Sequence, residues 1–208
     1  MSSVTTIPIE NLLLGFVPVL LLIGIMRAWG LNALQAMYAN VRMLVQLLLI
    51  GYVLTYIFET DEPVLVVLVV VFMIAMSSWI ALRPLTDRGI KPYTIVAIAI
   101  GVSGLGVLIL ITQIILELPR WFEPRFVIPL AGMVFANSMN TISLAGERFH
   151  AERGRGEDYL SARRLAMEAA MIPQVNALLA VGLVSLPGMM TGQILSGIEP
   201  LTAARYQI

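Results

Sequence analysis

Long apolar runs at residues 9–26, 41–58, 64–82, 93–116 and 126–145 alternate with short stretches that hold most of the charge. A membrane-spanning helix needs about 20 mostly apolar residues, so each run predicts one span. A sixth run, 169–186, contains Pro173, Gln174 and Asn176 and ends at Pro187-Gly188. Proline and glycine together break a helix, and a freed backbone group in hydrocarbon must be covered by protein or by a water-filled cavity. Residues 189–197 are too few to cross a bilayer and predict a re-entrant or interfacial turn. Between the first two runs, residues 28–40 place Leu31, Leu34, Met37 and the following Val41 on one helical face and Asn32, Gln35 and Asn40 on the other. That pattern predicts an amphipathic helix lying along the membrane surface, with a plain cytoplasmic loop as the alternative. The expectation is an all-α, polytopic membrane helix bundle of about six spans, forming a single transmembrane domain over residues 1–208.

Charge sets the orientation. Arg27, Arg42, Arg83, Arg88, Lys91, Arg148, Arg153, Arg155, Arg163 and Arg164 fall in alternate connections, ten of the 13 basic residues. By the positive-inside rule those connections are cytoplasmic and the N-terminus is outside. Hydrophobic residues make up 59% and charged residues 12% of the chain, far from the quarter charged that soluble domains carry. Net charge is zero, which argues against nucleic acid as a partner. There is no cysteine, which excludes disulfides and thiolate metal sites. No Lys or Arg precedes Arg27, so the first run reads as a retained helix in a multi-pass protein of the cell (inner or plasma) membrane.

The chain has no soluble-enzyme signature. Its one histidine, His150, lies in the charged stretch 146–168, and no phosphate-binding Gly-rich loop occurs, so any ATP hydrolysis belongs to another subunit. No cofactor or dedicated metal site is expected, and the 12 methionines read as flexible packing. Polar residues inside the apolar runs are the candidates for a substrate path: Gln46, Asn137, Ser138, Asn140, Gln174 and Asn176, with Pro187, Gly188 and Gln193 at the break. Gln113 and Thr141 belong to the same class. Such groups either bind substrate or hydrogen-bond neighbouring helices, and both readings stand. The pair Asn137 and Asn140 shares a helix face at i, i+3. The stretch 146–168 alternates charge, and reads either as a solvated connection or as a docking surface built from Arg148, Arg153, Arg155, Asp158, Arg163 and Arg164.

Three stretches carry a resemblance. They are Arg42-Met43-Leu44-Val45-Gln46-Leu47 with Gly51-Tyr52-Val53-Leu54, then Ile128-Pro129-Leu130-Ala131-Gly132-Met133 with Asn137-Ser138-Met139, and then Ala170-Met171-Ile172-Pro173 with Val181-Gly182-Leu183-Val184-Ser185-Leu186-Pro187-Gly188-Met189-Met190-Thr191-Gly192-Gln193, Gly197-Ile198-Glu199-Pro200 and Arg205-Tyr206-Gln207-Ile208. From about Arg42 onward the chain resembles the FetB family of ABC-transporter permeases, proposed iron exporters, whose broader family includes plant aluminium-tolerance permeases. The resemblance implies a permease homodimer in the lipid bilayer, driven by a separate cytoplasmic ABC ATPase, with a link to iron in bacteria and to UDP-glucose in plants. It also implies that residues 146–168 form the cytoplasmic coupling loop. Members of that family carry a longer loop and continue past the Arg-Tyr-Gln-Ile motif with a further helix and a basic tail. On this sequence the expectation is therefore an even number of spans with both termini outside. An ATP-independent secondary transporter or channel, and a truncated non-transporting relative, are the alternative readings.

Overall fold

The computed structural model describes residues 8–59 and 62–207. Helices α1 (Ile9–Leu14) and α2 (Val17–Ala28) make the first span with a step at Gly15 and Phe16. The step has a local cause: Pro18, in the first turn of α2, lacks an N–H and its ring excludes a straight path past the carbonyl of Leu14. At the end of α2, Gly30 turns left-handed at φ 71° while the Leu31 N–H reaches the Met26 carbonyl at 2.8 Å. Asn32 then caps the next helix, its Oδ1 accepting the Gln35 N–H at 3.1 Å. That helix, α3, runs unbroken from Ala33 to Glu59. The amphipathic stretch expected along the surface is thus helical but continuous with the second span. At 1.5 Å per residue α3 is roughly 40 Å long, about 10 Å more than the hydrocarbon core, so its first turns reach the interface.

Helices α4 (Pro63–Ala81) and α5 (Ile90–Ile109) match the third and fourth apolar runs. α5 continues into a π-helical turn at Leu110–Ile115, closed by Glu117 in the left-handed region at φ 46°. α6 (Pro124–Gly154) and α7 (Tyr159–Ala180) are joined by four residues that include Gly156 at φ 94°. Most of the charged stretch 146–168 is therefore helix rather than loop. Asp158 starts α7, its Oδ1 accepting the Ser161 N–H at 2.8 Å. Two short helices, α8 (Gly188–Leu195) and α9 (Pro200–Gln207), follow and pack on each other.

Among the described residues, five helical segments are long and apolar enough to cross a membrane: Glu10–Ala28, Ala33–Glu59, Pro63–Ala81, Ile90–Ile115 and Pro124–Gly154. α7 has a sufficient 22 residues but carries Arg163, Arg164 and Glu168 in its first half. The protein is a polytopic, multi-pass helical membrane protein, with leucines and valines exposed along α2 and α3.

The chain divides into two compact units. One holds residues up to Thr55 and from Val181 onward, and the other is Tyr56–Ala180. In the second, α6 is the central helix, packed against α4, α5 and α7. Small residues let the helices close up. Ala162, Ala166 and Ala170 are buried along one face of α7. A side chain at Gly104 of α5 would collide with the ring of Phe135, itself 2% exposed on α6. Gly146 of α6 meets Leu85 in the same way. Polar ties cross the packed helices: the Ser143 hydroxyl donates to the Ala81 carbonyl at 2.9 Å, and the Tyr93 hydroxyl to the Ala75 carbonyl at 3.3 Å.

Candidate substrate path and basic face

The polar residues of α6 and α7 meet on one line. Gln174 Nε2 donates to Thr141 Oγ1 at 3.1 Å, and Thr141 Oγ1 donates to the Asn137 carbonyl at 2.9 Å. This links α7 to α6 through a side-chain pair 33 residues apart in sequence. Ser138 is satisfied within its own helix, donating to the Val134 carbonyl at 2.9 Å. Asn137 and Asn140 stay exposed on this unit, as does Asn176 on α7. An amide at membrane depth ordinarily has protein or water against it.

The other candidates lie in the unit that holds residues up to Thr55 and from Val181 onward, where Gln46 is an exposed residue of α3. Pro187 and Gly188 do not end the sixth helix. It ends at Ala180, and Gly182 turns left-handed at φ 78° with its N–H on the Ser185 carbonyl at 3.0 Å. Pro187 instead precedes α8, with Gly188 as its first residue, because a proline ring suits the entry to a helix and not its interior. The break predicted at the Pro-Gly pair is thus real but spans residues 181–187. Gln193 lies on α8, and its buried Oε1 accepts no hydrogen bond from the described residues.

At the end of the bundle read as cytoplasmic, the charged residues mostly hold the α6–α7 corner together. Glu152 is 5% exposed, and its Oε1 meets Arg148 Nη2 at 2.7 Å and Arg155 Nη1 at 2.9 Å. Arg153 Nη1 donates to the Glu157 carbonyl at 2.7 Å, and the Ser161 hydroxyl to Glu157 Oε2 at 2.7 Å. Phe149 packs edge-on against Tyr159 with ring centres 5.7 Å apart, stapling the two helices beside the turn. Arg164 pairs with Glu168 at 2.8 Å on the surface, and this hydrogen bond raises the guanidinium pKa above its usual value. The Arg163 side chain makes no ion pair or hydrogen bond among the described residues. Glu152 was the residue least visible as special in the sequence, since an alternating charge pattern does not say which carboxylate is buried.

The α4–α5 connection comes to the same end. A cleft of about 680 Å³ is walled by Leu82, Leu85 and residues of α5, α6 and α7, with Asp87, Lys91, His150 and Arg163 among its lining. Among the described residues no group of three or more His, Cys, Asp or Glu side chains is placed to hold a metal ion.

The model of UPF0014, described as an uncharacterised protein family, matches residues 9–208. The chain belongs to the UPF0014 family. It is 36% identical over 202 residues to a UPF0014 membrane protein of Synechocystis sp., covering 89% of this chain and 78% of that relative. It is 36% identical over 185 residues to a protein of Escherichia coli named "probable iron export permease protein FetB", covering 80% of this chain and 69% of that protein. A plant relative in Arabidopsis thaliana, named "protein ALUMINUM SENSITIVE 3", is 26% identical over 189 residues, covering 84% and 68%. No solved structure matches the chain. UPF0014 membership agrees with the resemblance drawn from the sequence motifs, and the membrane character of the named relatives agrees with the five apolar helices.

Proposed function

We propose that this UPF0014 protein is the membrane permease subunit of an ABC exporter, acting as a homodimer and driven by a separate cytoplasmic ATPase subunit. Residues 1–208 act as one permease domain in this reading. The observation that carries it is the similarity, at 36% identity, to the Escherichia coli protein named as an iron export permease. A metal ion, iron first, is the corresponding substrate class. Within the unit Tyr56–Ala180, Asn137, Asn140, Gln174 and Asn176 supply amide oxygens and nitrogens to a substrate path, with the Ser138 hydroxyl; within the other unit, Gln46, Gln193 and the backbone around Pro187 and Gly188 are the groups proposed to meet substrate. The α6–α7 corner, with Arg148, Arg153, Arg155, Asp158, Arg163 and Arg164, is the coupling element. Its buried Glu152 pairs give it the rigidity that transmission of a force requires.

Purification from native membranes in mild detergent, followed by mass spectrometry of what accompanies the chain, tests this reading. A stoichiometric P-loop ATPase is the expected result. Recovery of the intact chain without an ATPase, together with ion-gradient-driven transport in liposomes by the chain alone, would overturn it in favour of a secondary transporter. The unwound stretch between α7 and α8 is the feature that would serve that alternative.

A further inference from the structure

We propose that the cleft between α5, α6 and α7, at the basic end of the bundle, is a binding site for an anionic phospholipid. Its walls are apolar: Ile95 of α5 and Met167 of α7, 68% and 50% exposed, line it together with Phe149 of α6. Its charged lining is cationic on balance. The side chains of Lys91 and Arg163 make no ion pair or hydrogen bond among the described residues, and His150 adds a third basic group. The one carboxylate in the lining, Asp87, already accepts the Gly89 N–H at 3.1 Å. Two cationic side chains without a partner among the described residues, beside an apolar wall, match a phosphate head joined to an acyl chain, and match a hydrophilic solute poorly.

The depth is right for a lipid head. Trp79, Tyr93 and Tyr159 gather at this end, and such aromatic side chains mark the membrane–water boundary. The same end carries the basic connections of the positive-inside pattern, so the cleft faces the cytoplasmic leaflet. Basic pockets between helices on that side are suited to anionic head groups, each Lys or Arg strengthening attraction by a factor of about five. Neither the lipid nor its site depends on the chain being an ABC permease.

Native mass spectrometry of the purified full chain, titrated with phosphatidylglycerol or phosphatidylcholine of equal chain length, reads the preference directly. The expected result is selective retention of phosphatidylglycerol, falling by about fivefold in K91Q and again by about fivefold when R163Q is added. D87N, which removes the opposing charge, should raise the preference. I95W fills the apolar wall without touching charge, and should weaken retention of both lipids. Equal retention of the two lipids by the unaltered chain would overturn the proposal. So would a preference unmoved by all of these substitutions in folded protein. If K91Q/R163Q left lipid selectivity intact but abolished recovery of a partner ATPase, the cleft would be a protein-docking face and the lipid site would be refuted.

Discussion

Glu152 shows how far a single residue departs from the look of its neighbourhood. It sits in a run of alternating charges, which in isolation reads as a solvated face, yet its carboxylate is buried and bridges two arginines. Breaking a fully buried pair costs about 3–5 kcal/mol. Here the arginine side chains are 40% and 65% exposed, so the cost of E152Q is expected to be about 1–2 kcal/mol. Thermal unfolding in mild detergent should register it as a lower midpoint, and an unchanged midpoint would show that the bridge contributes nothing. Gly104 is a second case, since its Cβ would lie 2.5 Å from Phe135 Cε1. G104A should destabilise the protein by roughly 1–3 kcal/mol, because a packed aromatic ring has nowhere to shift. The double variant G104A/F135L should recover part of that loss in the same melt, which separates steric conflict from a general helix effect.

At the scale of the element, local chemistry explains most boundaries. Asn32 and Asp158 cap α3 and α7, Pro63 and Pro124 open α4 and α6, and left-handed glycines close the turns at Gly30, Gly156 and Gly197. The expectations that shifted did so for a shared reason: hydropathy marks what lies in hydrocarbon, whereas helices end where backbone hydrogen bonding ends. So α3 extends back through the amphipathic stretch to Ala33, and α6 extends past its apolar part to Gly154. The sixth helix starts among charges at Tyr159 and stops at Ala180, well before Pro187, because the turn at Gly182 intervenes. Neither the polar nor the apolar count of a window reports such an end.

At the scale of the molecule, the connection after α4 and the corner between α6 and α7 contribute to one cleft, so they lie at one end of their unit. The charge pattern assigns that end to the cytoplasm, and the turn before α6 to the opposite side. The natural chain has no cysteine, so single cysteines report position without interference. D87C and E157C should react with an impermeant thiol reagent only from the cytoplasmic side, and E123C only from the outside. Labelling of D87C and E157C from opposite sides would contradict both the packing and the orientation.

The sequence by itself determined that this is a multi-pass helical membrane protein, where most of its apolar helices run, which connections are basic, and which family it resembles. Those properties are local or compositional: a span is set by some 20 consecutive residues, and orientation by the charges beside it. Only the tertiary structure decided that α6 is the central helix of its unit, that Gln174 reaches Thr141, that Glu152 is the buried carboxylate, and that Lys91 and Arg163 share a cleft. Each of these joins groups on different helices or selects one of many similar side chains, and depends on how closely two helices approach. That approach is set by small residues such as Gly104, Gly146 and the buried alanines of α7, whose partners lie far along the chain and leave no mark on the hydropathy pattern.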